Sequence, residues 1–251
     1  MAKRSARRAL RRVHDAYGQI EGDNVRRLFD DAGWSPLNDA QREQKYRKNI
    51  RAQNDSQRLL LEALDAAPLV FAVGAAGTGK TYLAVAKAVE ALEAGEVRRI
   101  VLSRPAVEAG ESLGFLPGDL EDKMSPYLRP LYDALCDRLS HKRLKALMAE
   151  GVIEIAPIAY MRGRTLNNAF VVIDEAQNCT YAQLKMLLTR LGWNSRMVVT
   201  GDPAQSDLLP GMSGLEDILV RLDPLASVTI VRFTRADVVR HPVVAEIIEA
   251  L

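Results

Sequence analysis

Residues 69–81 read LVFAVGAAGTGKT, an apolar run broken off by three glycines, a lysine and two threonines. A run of this length and composition suits a buried strand, and the TYLAVAKAVEALEA that begins at Thr81 has helical periodicity and closes on Gly95. The residues between must turn the chain sharply, which glycine permits at no steric cost. A glycine turn between strand and helix leaves backbone N–H groups pointing into one space, with the positive end of the helix behind them. Such a space takes an anion. The spacing satisfies G-x-x-x-x-G-K-[ST], the phosphate-binding P-loop, in the strand-before, helix-after context that gives the motif its meaning. On this reading Gly74, Ala75, Ala76, Gly77, Thr78 and Gly79 wrap the phosphates of a nucleoside triphosphate, Lys80 reaches the β and γ phosphates, and Thr81 ligands Mg²⁺ through its hydroxyl.

Further along, VVIDEAQN, residues 171–178, ends a second apolar run on two adjacent carboxylates, Asp174 and Glu175. Side by side they repel, so either the strand ends in water or cationic partners sit opposite. A P-loop supplies the second condition: an acid at the end of a buried strand holds Mg²⁺, which assigns Asp174. Glu175 can then orient and deprotonate a water against the γ phosphate, a part that hydrolysis needs and phosphotransfer to a small hydroxyl does not. Its alternative is to cap or solvate the helix that follows. A third strand, RMVVT, runs into GDPAQSD, residues 201–207. With that strand placed between the other two, Gln205 reaches the γ phosphate and can sense it, or the attacking water, through its amide.

These three motifs in this order resemble those of superfamily 1 helicases. LSRPAVEAGESLGFLPGDLEDKMSPYLRPLYDAL (102–135), IAYMRGRTLNNAFVVIDEAQN (158–178) and DVVRHPVV (237–244) narrow the resemblance to the PhoH family, phosphate-starvation-associated ATPases of bacteria and their phages. It covers residues 52–251. It implies a RecA-like α/β core with a mostly parallel sheet flanked by helices, which binds and hydrolyses ATP with Mg²⁺ and acts on RNA. It also implies that Gln57 reads adenine, a role suited to an amide facing the N6 and N7 edge. Gln41 has similar surroundings but lies farther from the core. Helicases of this kind bind ATP between two cores and take an arginine from the second, whereas this chain carries one core. The resemblance therefore implies a homo-oligomer, a ring such as a hexamer, with the arginine supplied in trans. Arg240 matches the family's C-terminal motif and ranks first, ahead of Arg162, Arg164 and Arg235.

The sequence around this core sets its class. Its 251 residues suffice for one sizeable core, and six strands are expected: 69–73, 99–103, 152–156, 170–174, 196–200 and 227–233. Helices are expected from Thr81 to Gly95, after Ser125, and from Thr180 to Gly192. No apolar run approaches the roughly 18–20 residues of a membrane span. The basic N-terminus lacks a secretory apolar region, and the two cysteines, Cys136 and Cys179, form no framework. The expectation is a cytoplasmic protein with no membrane partner.

Residues 1–50 look like a small helical or partly disordered appendage, and 51–251 like the ATPase domain. Charge is uneven: residues 1–51 hold 13 Lys and Arg against 7 Asp and Glu, whereas the rest holds 21 against 25. A basic arm of that kind can neutralise nucleic-acid phosphates, or simply be solvated. Residues 104–123 read as a long loop. By position after the second strand, Ser103, Arg104 and Pro105 are expected to face single-stranded RNA. His241 is expected to be structural. Aromatic residues make up only 6% of the chain, too few for a groove rich in base-stacking platforms.

Overall fold

The computed structural model describes residues 50–105, 120–239 and 243. Helix α1 (Asp55–Ala66) opens the core, started by Asn54, whose side chain accepts from the Gln57 N–H. It leads into β1 (Leu69–Gly74), the glycine turn and α2 (Lys80–Glu93), after which Gly95 takes the left-handed conformation that ends helices. Then follow β2 (Arg99–Arg104), α3 (Leu120–Cys136), α4 (His141–Ala149), β3 (Ile153–Pro157), β4 (Ala169–Ile173), α5 (Tyr181–Leu188), β5 (Arg196–Gly201), α6 (Leu215–Leu222) and β6 (Val228–Phe233).

The strands form one parallel sheet in the order β3-β2-β4-β5-β1-β6. Alternation along each central strand divides the apolar residues between two layers. Val70, Ala72, Phe170 and Val172 pack with α1, α2, α3 and α4 through Leu60, Leu83, Leu131 and Leu144. Phe71, Val73, Val171 and Ile173 pack on the other face with α5 and α6 through Leu184, Leu187, Leu215 and Ile218. A sheet buried on both faces explains why its strands read as continuous apolar runs. The result is the RecA-like sandwich that the resemblance implies.

The expected strands are all present within a residue or so of their expected ends. Three helical features differ. The helix expected after Ser125 begins at Leu120 and carries Pro126 and Pro130 inside it; fully buried Leu131 and Leu135 hold it on the sheet and offset what proline costs a helix interior. It also shortens the long loop expected up to residue 123, of which residues 106–119 lie outside the described residues. Helix α5 starts on a Thr180–Gln183 capping box, worth about 1 kcal/mol, but ends at Leu188 rather than Gly192. Leu191 leaves it to bridge Leu166, and Gly192 passes so close to Asn167 that an added Cβ would lie 2.1 Å from Oδ1. Helices α4 and α6, which are short, have no counterpart in the expectations. The appendage expected over residues 1–50 lies, but for Ile50, outside the described residues.

Gly74 shows how closely β1 and β6 approach. At φ +125°, a Cβ there would sit 1.9 Å from the Phe233 carbonyl oxygen, part of the sheet itself. Gly74→Ala is therefore expected to cost about 3 kcal/mol or more in strain and overlap. Thermal unfolding of the purified variant measures this, and a wild-type midpoint would contradict it.

Candidate functional site at the carboxyl edge of the sheet

Because all the strands are parallel, the loops after β1, β4 and β5 leave from the same edge. β5 does lie between β1 and β4. The three motifs, at residues 74–81, 171–178 and 201–207, thus line one cleft of about 270 Å³ that includes Gly77, Lys80, Thr81, Asp174, Glu175 and Gln205.

Gly74, Gly77 and Gly79 have positive φ, so the loop adopts a path closed to most side chains. Lys80 folds back over it, donating to the carbonyl oxygens of Gly74 at 2.6 Å and Ala75 at 2.7 Å, with its ammonium 5.9 Å from the Phe233 ring centre. Burial lowers its pKa, an effect countered by the negative charges of Asp202, Glu175 and Asp174. The loop is held from two sides. Gln57 Nε2 donates to Thr78 O at 3.0 Å, and the Val239 N–H donates to Gly77 O at 3.0 Å. The Gln57 amide is buried and its oxygen also accepts from Gln53 N. An amide has two donor hydrogens and two acceptor lone pairs, so adenine recognition would use its remaining capacity or replace these bonds.

Asp174 is buried at the end of β4. Its Oδ1 accepts from Thr81 Oγ1 and from Thr200 Oγ1, both at 2.6 Å. A hydroxyl and a carboxylate in contact suit Mg²⁺ that arrives with nucleotide phosphates, since Mg²⁺ needs only one or two protein ligands there. Among the described residues no cluster of three His, Cys, Asp or Glu could hold a metal by itself.

Glu175 has φ 54°, the left-handed region, in a residue that is neither glycine nor asparagine. Such a conformation costs on the order of 1–3 kcal/mol and persists where the surroundings enforce it. Its side chain makes no capping hydrogen bond to the short 3₁₀ turn Ala176–Asn178, and Thr180 caps α5, so the capping alternative fails. Instead Glu175 Oε1 accepts from Arg104 Nη2 at 3.2 Å, and Oε2 accepts from Gln177 Nε2.

Gln177 also accepts from the Asp202 N–H at 3.0 Å through Oε1. Asn178 and Asp207 exchange two hydrogen bonds of 2.8 Å, and Ser206 Oγ donates to Gln177 O. These bonds pin the loop after β5 to the loop after β4 and set Gln205, itself exposed, at the cleft. Thr200, Gln177, Asn178 and Asp202 were not anticipated. Thr200 carried a usable signal, a polar residue directly after buried Val198 and Val199, the pattern that exposed Asp174.

The expected RNA-facing trio is corrected. Ser103 and Pro105 are buried, and Arg104 turns into the cleft toward Glu175, because β2 lies beside β4 and ends at the same edge. Of the arginines considered for a trans role, Arg164 is held by Glu154 at 2.5 and 2.7 Å, which keeps the Glu154 carboxyl below its ordinary pKa. Arg162 and Arg235 are exposed. Arg240 and His241 lie outside the described residues.

The chain matches the family model for PhoH-like protein over residues 49–251. It belongs to the PhoH family. The PhoH-like protein of Bacillus subtilis (strain 168) is 57% identical over 204 residues, 81% of this chain and 64% of the relative. Protein PhoH of Escherichia coli (strain K12) is 46% identical over 242 residues, 95% of this chain and 68% of the relative. The chain thus spans under two thirds of the B. subtilis relative's length. Among solved structures, the large terminase from a thermophilic bacteriophage aligns with a TM-score of 0.51 at 13% identity, over 78% of this chain and 49% of that one, a likeness of fold alone.

Proposed function

We propose that the chain binds ATP with Mg²⁺ and hydrolyses it, and that it does so as a homo-oligomer, a ring such as a hexamer, working on single-stranded RNA in the cytoplasm. The observation that carries the hydrolytic reading is the placement of Glu175 and Gln205 on the cleft that Lys80, Thr81 and Asp174 also line. A carboxylate base would serve transfer to a hydroxyl as well, but an amide that orients water beside it favours hydrolysis.

The glycine loop takes the triphosphate, with Lys80 leaving the Gly74 and Ala75 carbonyls for the β and γ phosphates. Thr81 and Asp174 would hold Mg²⁺, which neutralises charge on the phosphate oxygens. Glu175 accepts a proton from the attacking water as that oxygen bonds to the γ phosphorus and the bond to ADP breaks. Gln205 orients the water. Arg240 of a neighbouring copy stabilises the charge on the phosphate in flight. Gln57 reads adenine.

Steady-state ATP hydrolysis by the purified protein, with and without single-stranded RNA, tests this. Severalfold stimulation by RNA is expected. Turnover indifferent to RNA at every concentration would remove the RNA part and leave an ATP-gated switch; no turnover would remove the hydrolytic part as well.

A further inference from the structure

The adjacent carboxylates at the end of β4 need a counter-charge whether or not nucleotide is bound, and among the described residues Lys80 and Arg104 are the cations near enough to supply it. Lys80 is committed to the carbonyls of its own loop. Arg104, the last residue of β2, comes closer to the pair: Nη2 lies 3.2 Å from Glu175 Oε1 and Nη1 4.0 Å from Asp174 Oδ2. Asp174 Oδ1 already accepts from two hydroxyls, so Oδ2 is the oxygen that faces Arg104. We propose that Arg104 is the resident counter-ion of the Asp174–Glu175 pair, occupying electrostatically the place of the divalent cation, and that it withdraws when Mg-nucleotide binds. This rests on the ATPase reading above.

The physical ground is competition. A guanidinium and a divalent cation on the same pair of carboxylates are like charges a few ångströms apart in a cleft where Asp174 is buried and the Arg104 side chain only 22% exposed, so salt screens them little. Binding of one opposes binding of the other. Glu175 is tied as well. With Oε1 on Arg104 and Oε2 on Gln177, both of its oxygens are engaged. Release of Arg104 opens Oε1 to an attacking water. Withdrawal is a movement of the side chain alone, because the backbone is fixed: Ser103 is in register with Ile173, and Asp174 N donates to Ser103 O at 2.9 Å. Arg104 is therefore a positioning residue that makes metal binding and release of the base a single event.

The test is Mn²⁺ binding without nucleotide, followed by electron paramagnetic resonance, in wild type, Arg104→Gln and Arg104→Lys, beside ATP hydrolysis as a function of Mg²⁺. Arg104→Gln should bind Mn²⁺ at least about tenfold more tightly and reach half-maximal turnover at correspondingly lower Mg²⁺. Arg104→Lys, which keeps the charge but loses the planar fork, should stay near wild type, whereas a merely structural pair would fail in both variants. Unchanged or weaker Mn²⁺ binding in Arg104→Gln would overturn the proposal. If that variant does not fold, Arg104→Met makes the same measurement. Absence of ATPase activity in the wild type would sink the hydrolytic reading yet leave the Mn²⁺ comparison standing, so the two failures are distinguishable.

Discussion

Lys80→Ala is expected to leave a folded protein whose ATP hydrolysis falls by about 10²–10³-fold or more, with nucleotide affinity reduced alongside. The magnitude follows from where the ammonium sits. Lys80 is the first residue of α2 and nearly buried, and its Nζ reaches the carbonyl oxygens of the loop that wraps the phosphates. Burial lowers its pKa and three acids oppose that shift, and a charge in a partly dry site counts for more than in water. No other described lysine lines the cleft. Removing it also leaves the Gly74 and Ala75 carbonyls short of a donor, so thermal unfolding should be recorded on the same preparation. Undiminished ATPase in a folded variant would sink the whole site assignment.

Glu175→Gln should behave differently, retaining ATP binding within a few-fold while turnover falls by about 10²–10⁴-fold. The amide keeps the volume and an acceptor oxygen, so the contacts around residue 175 are largely preserved, but it cannot take a proton from water. Nucleotide binding by fluorescence titration and turnover by phosphate release, measured together, separate the two effects. Loss of binding with loss of turnover would instead make Glu175 a structural or metal-holding residue. The backbone argues for the chemical role. A glutamate kept in the left-handed region without a capping bond carries a conformational cost that helix initiation does not explain, since Thr180 and Gln183 cap α5 on their own.

Much of the fold was legible because parallel strands buried on both faces must be apolar along their whole length. Leu69 to Val73, Phe170 to Ile173 and Met197 to Val199 announce themselves for that reason. Helix ends were legible where a local device sets them, as at Gly95 and Thr180. They were not where a distant contact does. Leu191 leaves its helix for Leu166, and α3 extends through two prolines because its far end is anchored in the core. Helices α4 and α6 are only 9 and 8 residues long, too short for a helical period to be told from a short apolar run.

The site divides along the same line. Sequence by itself pointed to the glycine loop, to Asp174 and Glu175 at the end of a buried strand and, by resemblance, to the family, because each is carried by runs of neighbouring residues. Only the tertiary structure decided what those residues touch. That Thr200 shares Asp174 with Thr81, that Gln177 ties the loop after β4 to the loop after β5, and that Arg104 faces Glu175 rather than RNA all depend on β5 lying between β1 and β4, and β2 beside β4. Strand order is fixed by packing between segments dozens of residues apart, and no local pattern of side chains encodes it.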